Sequence, residues 1–507
     1  MNDLLTRARG PWIAPLLALL AGALLPFALA PFDVWPLALL SPALLAELLA
    51  GQTPGRAARL GWCYGIGLWG NGVWWLYVSI HDYGNTPAWL AVLMVSAVAV
   101  LMGLFTAVMG WLYRRLALDR KALLGFAPLF VLFEWTKTWF LTGFPWLFAG
   151  YAFIDTPLKH YAPVLGVFGL SLLAVISGQL FFDILKTGKR GWSHATLLAA
   201  IWGGGALLGL AHWVQPDRER SLSLSIVQGN IPQDLKWLTE WRDKTLAIYR
   251  TGTDNEWGRD LIVWPEAAVP MFQYEASEFL ADMENRALSG HSTLVTGIPF
   301  ADLRHLDKDG VPLFYNSLVA LGEGYGLYFK QRLVPFGEYI PMEALLRNTI
   351  PFFSRDMSSF SAGDDRQRPV MVRDYRLGAA ICYEVAYPEL TRRNARDADF
   401  LVTLSNDGWF GHSTGPLQHL QMVRMRSLET GKWFVRATNT GVSAVINDQG
   451  DLVAVAPSFK RTVLRSRVFM TKGRTPFLRS GEIPVLALCG LALGLAMFRG
   501  RQAAKKA

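Results

Sequence analysis

The sequence predicts a polytopic α-helical membrane domain of eight spans, joined to a polar α/β domain. Three observations lead to this fold class. Hydrophobic residues make up 52% of the 507-residue chain, which is above the usual share in soluble proteins. Long apolar runs fill residues 11–213 and return near the C-terminus. Residues 214–480 instead alternate short apolar runs with polar stretches. We therefore expect domains at 1–213, 214–480 and 481–507.

Eight apolar runs are long enough, or nearly long enough, to cross a bilayer as helices. A hydrocarbon core of about 30 Å requires about 20 helical residues at roughly 1.5 Å each. The runs cover residues 11–30, 34–50, 60–80, 88–112, 122–141, 161–185, 193–213 and 483–498. We expect seven spans before the polar segment and one after it.

The basic residues between these runs are distributed unevenly. With the N-terminus inside, the inner loops and termini hold 15 Lys and Arg, whereas the outer loops before residue 214 hold only Lys137 and Lys159. Cytoplasmic loops of membrane proteins carry such an excess. The pattern predicts cytoplasmic termini and an external segment 214–480. A signal peptide cleaved after Ala28-Leu29-Ala30 is the alternative for the first run, but Pro31 fits poorly after a cleavage site.

The net charge of +9 does not indicate nucleic-acid binding, because the excess lies in the apolar parts of the chain. Residues 214–480 carry 32 Lys and Arg against 31 Asp and Glu, so the polar domain lacks the basic excess that phosphate binding requires. Three cysteines exclude a disulfide scaffold, and Cys63 and Cys489 fall inside predicted spans. We identify no metal-ligand motif, expect no cofactor, and take a monomer as the default.

The polar segment contains seven predicted strands and three predicted helices. Short β-branched or apolar runs indicate the strands, and longer polar stretches indicate the helices. The strands are Leu222–Gln228, Leu261–Trp264, Thr293–Gly297, Tyr315–Leu321, Leu377–Cys382, Phe400–Leu404 and Ser443–Ile446. The helices are Thr239–Gly252, Ser277–Ser289 and Leu417–Thr430.

Three residues with reactive side chains stand at or near strand ends. Glu266 follows one predicted strand, Cys382 ends another, and Lys330 precedes the run that begins at Leu333. Catalytic groups of α/β proteins cluster at strand ends and in the loops after them, so this placement fits an active site. Each residue alone also has an ordinary alternative, as a turn glutamate, a core cysteine or a surface lysine.

Four motifs surround these residues in a fixed order. They are Trp264-Pro265-Glu266, then Lys330 with Pro335-Phe336-Gly337-Glu338, then Cys382-Tyr383-Glu384, then Asn406-Asp407-Gly408-Trp409-Phe410. In order and spacing, the polar segment resembles the nitrilase (carbon–nitrogen hydrolase) superfamily, whose catalytic set is Glu, Lys and Cys. The resemblance implies an αββα sandwich and assigns Glu266, Lys330 and Cys382 to that set.

The complete chain resembles the apolipoprotein N-acyltransferase family, a membrane-set branch of that superfamily. Seven spans, a nitrilase-like domain and one closing span carry the resemblance, with the motifs Thr142–Trp146, Gln228–Gln233 and Tyr315–Ser317. It implies acyl transfer from a membrane phospholipid to the α-amine of an S-diacylglyceryl cysteine at a lipoprotein N-terminus. It also implies a bacterial inner-membrane location with a periplasmic catalytic domain.

Two other function classes share part of this pattern. A membrane-anchored amidase or nitrilase would use the same three residues on a small amide, with water in place of the amine. A transporter or scaffold with an inactive hydrolase domain is disfavoured, because Glu266, Lys330 and Cys382 are all present.

The resemblance gives each catalytic residue a role. Cys382 would attack the phospholipid ester and form a thioester, after Glu266 accepts the thiol proton. Lys330 and the backbone N–H of Tyr383 would stabilise the oxyanion. We further expect carboxylates from the two neighbouring motifs to hold Lys330 charged and oriented. These are Glu338 and Glu384.

Other residues are expected around the site. Trp237 and Trp409 would line an acyl or headgroup pocket, with core packing as the alternative. Lys236 would face either a lipid phosphate or solvent. Asn316, from the third motif of the full-chain resemblance, is expected among the binding or supporting residues.

Two expectations concern the membrane side. A thioester needs protection from water, and the apolar residues Leu345–Phe360 predict a membrane-touching lid, with a buried helix as the alternative. Glu134 and Lys137 lie one helical turn apart, which predicts an ion pair near the outer end of the fifth span.

Overall fold

A computed structural model describes residues 10–118, 122–187, 191–307, 310–340 and 360–506. The chain forms two compact units. The helical unit contains the residues up to Trp213, the segment Phe410–Met425 and the residues from Thr475 onward. The sandwich unit contains Val214–Trp409 and Arg426–Arg474.

The helical unit has a helix in each of the seven apolar runs that precede the polar segment. They are α1 Ile13–Leu24, α2 Pro36–Leu49, α3 Pro54–Gly72, α4 Ala88–Arg115, α5 Ala122–Thr136, α6 Ala162–Thr187 and α7 Trp192–Leu208. Among the described residues, Ala88–Arg115 and Pro157–Thr187 are long and apolar enough to cross a membrane. Shorter apolar helices occupy Ile13–Ala28, Pro36–Leu49, Leu123–Thr136 and Ile483–Arg499. Eight crossings therefore remain a prediction.

Two helices end earlier than the hydrophobic pattern predicts. Helix α3 ends at Gly72 rather than near residue 80, because Gly70-Asn71-Gly72 is a poor helix former. The chain continues through the short turns Leu76–Val78 and Ser79–Tyr83. Helix α5 ends at Thr136 rather than at 141, and Leu141 has a φ of 50°, outside the helical range.

The predicted ion pair between Glu134 and Lys137 is wrong as a direct contact. Each side chain binds backbone of the loop that follows helix α5 instead. Oε1 of Glu134 accepts a hydrogen bond from the N–H of Ala149 at 2.8 Å, and Nζ of Lys137 donates to the carbonyl of Trp146 at 3.3 Å. The ammonium also lies 4.9 Å from the centre of the Phe148 ring. Buried charges are stabilised here by peptide groups and an aromatic face.

The segment Phe410–Met425 packs within the helical unit, although the sequence pattern assigned it to the polar domain. Nε1 of Trp146 donates to Oε1 of Gln418 at 2.7 Å, and the ring of Phe410 stands edge-on to Trp75 at 4.7 Å. The aromatic residues of the segment therefore have apolar partners outside the sandwich, which the local sequence does not reveal.

The sandwich unit is built from two sheets. The first sheet contains β1 Val214–Gln228, β2 Leu261–Val263, β3 Thr293–Leu306, β4 Pro312–Gly322, β6 Leu327–Phe329 and β13 Thr462–Gly473. The second sheet contains β5 Gly324–Tyr325, β7 Val370–Val372, β8 Tyr375–Ile381, β9 Phe400–Ser405, β10 Phe434–Thr438, β11 Ala444–Ile446 and β12 Leu452–Val455. The strand orders are β13-β1-β2-β3-β4-β6 and β12-β11-β10-β9-β8-β7-β5. The helices after α7 in the chain are α8 Arg242–Thr253, α9 Ser277–Ser289, α10 Pro388–Ala395 and α11 Gly415–Thr430. The part of α11 up to Met425 belongs to the helical unit, and the rest belongs to the sandwich unit.

Side-chain alternation along the strands explains the layers of the sandwich. In β2, Leu261 and Val263 enter the core between the sheets, whereas Ile262 joins a second core with Tyr249 of α8 and Met283 of α9. Successive residues of a strand point to opposite faces, so a strand buried on both faces is apolar throughout. Helices α8 and α9 cover one sheet, and α10 packs against β8 of the other. The α/β sandwich prediction is confirmed.

Each of the seven predicted strands overlaps an observed one, and six of the strands within residues 214–307, 310–340 and 360–474 were not predicted. Three of the missed strands, β5, β6 and β7, have two or three residues, too few to show an alternation. Strand β10 contains the buried Arg436, and β13 contains Arg465 and Arg467. These charges interrupt the apolar pattern on which the prediction relied.

The last two helices belong to the helical unit. They are α12 Pro476–Ser480 and α13 Ile483–Lys506. Helix α13 packs along α5, and Nε1 of Trp135 donates to Oε2 of Glu482 at 3.0 Å. The eighth apolar run is therefore helical, as predicted.

Candidate active site

Glu266 is placed by the loop that follows β2. The preceding residue Trp264 is fully buried, and its Nε1 donates to Oγ1 of Thr253 at 2.9 Å. The carbonyl of Pro265 accepts a hydrogen bond from the N–H of Gly297 in β3 at 3.3 Å. The buried indole and the neighbouring strand therefore hold the loop in a fixed position.

Three donors surround the Glu266 carboxylate, which is only 8% exposed. Oε1 accepts hydrogen bonds from Nδ2 of Asn316 at 2.7 Å and from Nζ of Lys330 at 3.3 Å. Oε2 accepts from the backbone N–H of Asn406 at 2.8 Å. These hydrogen bonds satisfy the buried carboxylate and fix its orientation in the site.

Lys330 follows β6 and is held at both ends. Its N–H donates to the carbonyl of Asn316 at 2.9 Å, and its Nζ lies 2.9 Å from Oε1 of Glu338 and 3.3 Å from Oε1 of Glu266. Burial alone would lower the pKa of Lys330, but the carboxylates of Glu338 and Glu266 raise it above its ordinary value. The ammonium therefore stays charged and cannot act as a base near neutral pH.

Cys382 stands at a backbone reversal between β8 and a 3₁₀ turn, Cys382–Ala386. The sequence pattern placed it as the last residue of the strand, but β8 ends at Ile381 and Cys382 has a φ of 51°. A non-glycine residue in this left-handed region is strained, and such strain is frequent at functional sites. The turn places the thiol at the strand end.

The thiol of Cys382 is protonated at rest. Burial raises its pKa to about 12, the negative charge of Glu266 adds to the rise, and Lys330 opposes it. These influences also place Cys382 within electrostatic reach of both other candidate catalytic residues. Because only a thiolate is a strong nucleophile, the site needs a base that removes the thiol proton during attack.

Glu338 has the predicted contact with Lys330, and Asn316 links the two carboxylates. Nδ2 of Asn316 donates to Oε1 of Glu266 and, at 2.9 Å, to Oε1 of Glu338. The other carboxylate oxygen of Glu338 accepts from the N–H of Val334 at 2.8 Å. The sequence placed Asn316 near the site without a role; in the structure it bridges two acids.

Glu384 does not hydrogen-bond Lys330 among the described residues, contrary to the expectation. Its buried carboxylate accepts hydrogen bonds from the backbone N–H groups of Gln331 and Ile381, both at 2.6 Å, and from the hydroxyl of Tyr328 at 3.0 Å. Glu384 thus joins the backbone after Lys330 to the strand before Cys382. Burial raises its pKa to about 7, against the effect of these donors.

The sequence comparisons cover both units. Residues 21–180 match the family model described as the apolipoprotein N-acyltransferase N-terminal domain, and residues 223–470 match the carbon-nitrogen hydrolase model. An apolipoprotein N-acyltransferase of Azotobacter vinelandii is 43% identical over 501 residues, which covers 97% of this chain and 96% of that protein. The chain belongs to the apolipoprotein N-acyltransferase family.

Two further proteins of the apolipoprotein N-acyltransferase family show the same extent of similarity. The protein of Pseudomonas putida is 41% identical over 97% of this chain and 98% of its own. The protein of Vibrio cholerae is 40% identical over 96% of this chain and 98% of its own. Both carry the name apolipoprotein N-acyltransferase. The similarity thus includes the helical unit as well as the sandwich.

Lys236 lies deeper than the family resemblance led us to expect. It is fully buried, and its Nζ donates to the backbone carbonyl of Glu266 at 2.9 Å. The interpretation of Lys236 as a solvated lysine is therefore wrong, and a contact with a lipid phosphate stays a prediction. No sequence pattern indicates this burial, and the neighbouring Trp237 is 47% exposed.

The aromatic residues expected at the site have different environments. Trp237 and Trp409 are 47% and 41% exposed, so neither is a core residue. Tyr383 is buried, and its ring stands edge-on to Tyr387 with centres 5.3 Å apart. The expected lid, Leu345–Phe360, lies outside the described residues except for Phe360, whose N–H donates to the carbonyl of Glu338 at 2.9 Å.

Several supporting contacts could not be found from the sequence because they are made by backbone groups. The N–H groups of Asn406, Gln331 and Val334 each bind a site carboxylate. Of these three residues, only Asn406 belongs to a motif by which the sequence resembles the nitrilase superfamily. In the part of the chain that the structure describes, no group of three or more His, Cys, Asp or Glu side chains could hold a metal ion.

Proposed function

We propose that the chain transfers an acyl chain from a membrane phospholipid to the α-amine of the S-diacylglyceryl cysteine of an apolipoprotein. One observation carries the proposal. In a chain related over nearly its whole length to apolipoprotein N-acyltransferases, Glu266 and Lys330 share a hydrogen bond and both act on the charge of Cys382. A base, a fixed cation and a nucleophile are the groups that acyl transfer requires.

In the first half-reaction, Glu266 accepts the proton of the Cys382 thiol while the sulfur attacks the phospholipid ester carbonyl. The negative charge of the tetrahedral intermediate is stabilised by Lys330 and by the backbone N–H of Tyr383. One such donor contributes about 3–4 kcal/mol in well-studied sites. The intermediate collapses to a thioester on Cys382, and the lysophospholipid leaves as an alcohol with the proton held by Glu266.

In the second half-reaction, the acceptor amine attacks the thioester and Glu266 accepts its proton. The C–S bond breaks, the sulfur takes the proton back, and an amide is released. Lys330 is unsuited to the role of base, since Glu338 and Glu266 keep it protonated. The carboxylate of Glu266 is therefore the base in both steps.

We also propose the membrane arrangement that suits these substrates. Residues 1–213 and 481–507 form eight spans with cytoplasmic termini, and the catalytic segment 214–480 lies in the periplasm of a bacterial inner membrane. The uneven distribution of Lys and Arg supports this arrangement. Single cysteines at Asn255 and Arg59 test it: an impermeant maleimide should label the first in intact spheroplasts and the second only after lysis. The reverse pattern would contradict the proposed orientation.

The decisive experiment is mass spectrometry of the purified protein after exposure to a defined phospholipid. We expect an acyl mass on the peptide that contains Cys382, labile to hydroxylamine and discharged by a diacylglyceryl-cysteine peptide. Cys382→Ala should lack the adduct, and Cys489→Ala, at a buried cysteine of the helical unit, should retain it. Rapid discharge by water alone would favour an amidase-like hydrolase. No adduct with any phospholipid would overturn the thioester mechanism.

A further inference from the structure

Two lysines approach Glu266 from different sides, and only one belongs to the family catalytic set. Lys330 contacts the carboxylate, whereas Lys236 donates to the backbone carbonyl of the same residue at 2.9 Å. Both side chains are almost completely buried, with Lys236 at 0% and Lys330 at 1% exposure. The mechanism above uses Lys330 alone, so Lys236 has no assigned role.

The surroundings of Lys236 do not compensate its charge in the ordinary way. Among the described residues, its ammonium forms one hydrogen bond, to a neutral carbonyl, and no ion pair. An ammonium that is removed from water without a paired carboxylate destabilises the folded protein. Accordingly, burial lowers the pKa of Lys236 to about 8, although Glu266 and Cys382 both act to raise it. A lysine kept at such a position is a candidate for function.

The charges around Cys382 indicate what that function is. Glu266 and Asp407 oppose a negative charge on its sulfur, and Lys330 favours one. Asp407 is paired with Arg436, but Lys330 is shared between two carboxylates, Glu266 and Glu338. Counted over these five groups, Glu266, Glu338, Asp407, Lys330 and Arg436, one negative charge is in excess before the thiol ionises. The charge of Lys236 balances that excess.

We propose that Lys236 is a positioning residue that holds the backbone of Glu266 and whose positive charge stabilises the Cys382 thiolate. The ionisation of the thiol is a property of the free protein, and its use in acyl transfer rests on the function proposed above. Lys330 then stabilises the oxyanion of the tetrahedral intermediate, while Lys236 stabilises the thiolate of Cys382. The two lysines would divide between them the positive charge that one acyl-transfer site requires.

Three substitutions separate the charge of Lys236 from its hydrogen bond. Lys236→Gln removes the charge and retains an N–H donor for the Glu266 carbonyl, Lys236→Met removes both, and Lys236→Arg retains both. Lys244→Met, at an exposed lysine of α8, is the matched control. The readout is the rate of iodoacetamide alkylation at pH 7, where a lysine with a pKa of about 8 is mostly charged, measured by mass spectrometry on the peptide containing Cys382. This readout needs no lipid and excludes the other two cysteines.

A rise of one unit in the pKa of the thiol lowers the thiolate fraction tenfold at a pH below that pKa. We expect alkylation of Cys382 to fall about tenfold in both Lys236→Gln and Lys236→Met, and to stay within about twofold of the unsubstituted protein in Lys236→Arg and Lys244→Met. If Lys236→Met fails to fold, Lys236→Gln still tests the charge role of Lys236. Unchanged alkylation in a folded Lys236→Gln protein would overturn the charge role.

The two proposals fail in different ways. Incubation of the unsubstituted protein with phospholipid tests the thioester mechanism alone. An unsubstituted protein that forms no thioester, combined with slower alkylation in Lys236→Gln, would refute the acyltransferase mechanism and leave the charge role of Lys236 intact. Normal thioester formation in the unsubstituted protein, combined with unchanged alkylation in Lys236→Gln, would refute the charge role of Lys236 and leave the acyltransferase mechanism intact.

Discussion

The Nζ atom of Lys330 lies 2.9 Å from Oε1 of Glu338. This contact keeps the ammonium partly engaged away from Glu266, which remains free to accept a proton. Glu338→Gln retains the shape and removes the charge, so Lys330 would pair with Glu266 alone and weaken it as a base. We expect single-turnover thioester formation to fall about 10- to 100-fold. Glu278→Gln, at an exposed position of α9, is the control, and a rate within about twofold for Glu338→Gln would contradict the assignment.

Asn316→Ala removes the amide that bridges Glu266 and Glu338. A hydrogen bond to a charged group contributes about 1.5–3 kcal/mol, so we expect thioester formation to fall by at least about tenfold. The thermal unfolding midpoint should fall as well, since the buried carboxylate of Glu266 and the partly buried carboxylate of Glu338 both lose a donor. The exposed Asn255→Ala serves as the comparison in both measurements. Full activity in Asn316→Ala would show that the bridge has no part in the chemistry.

Glu384 predicts a pH dependence of stability. Burial raises its pKa in the folded protein to about 7, so the folded state binds this proton more tightly than the unfolded chain. The resulting stabilisation is complete below the unfolded pKa and is lost as the pH rises through about 7. Between pH 5 and pH 8, the unfolding midpoint should therefore fall less in Glu384→Gln than in the unsubstituted protein. Equal falls would contradict the raised pKa, and Glu278→Gln should match the unsubstituted protein.

Gly297→Ala tests how tightly the Glu266 loop is positioned. A Cβ at this position of β3 would lie 2.7 Å from Cα of Glu266 and 2.6 Å from the backbone nitrogen of Ala267. The loop would have to move, and a misplacement of about 1 Å can lower a rate about 100-fold. We expect a loss of that order in thioester formation. At Gly203, where a Cβ meets nothing within 4 Å, alanine should leave the rate unchanged.

The sequence was sufficient to predict where the reactive groups lie and which segments form the longer strands of the sandwich. Glu266 and Cys382 stand at the ends of strands whose apolar runs are evident, and both lie where those strands predict. The charged partner of Lys330, Glu338, was also found, because it belongs to the same short motif. Strongly patterned segments and local motifs are the parts of a fold that a single sequence records best.

The parts that could not be predicted depend on contacts distant in sequence or on backbone atoms. Lys236 precedes the exposed Trp237 in the sequence, and only the folded chain brings its ammonium to the backbone carbonyl of Glu266. The partners of Glu384 are mainly backbone N–H groups, which every residue type except proline can supply. The positive φ of Cys382 is imposed by the turn and is not a preference of cysteine.

The membership of Phe410–Met425 in the helical unit has a consequence for synthesis on the ribosome. Helices α1 to α7 emerge first, but this segment and helices α12 and α13 are translated only after most of the sandwich. Domains generally fold in the order in which they are made. Here the first unit to emerge cannot complete its packing until translation is nearly finished. Nascent chains stalled before residue 410 should therefore hold exposed aromatic surface around Trp75 and Trp146, which a membrane insertase or chaperone would have to protect.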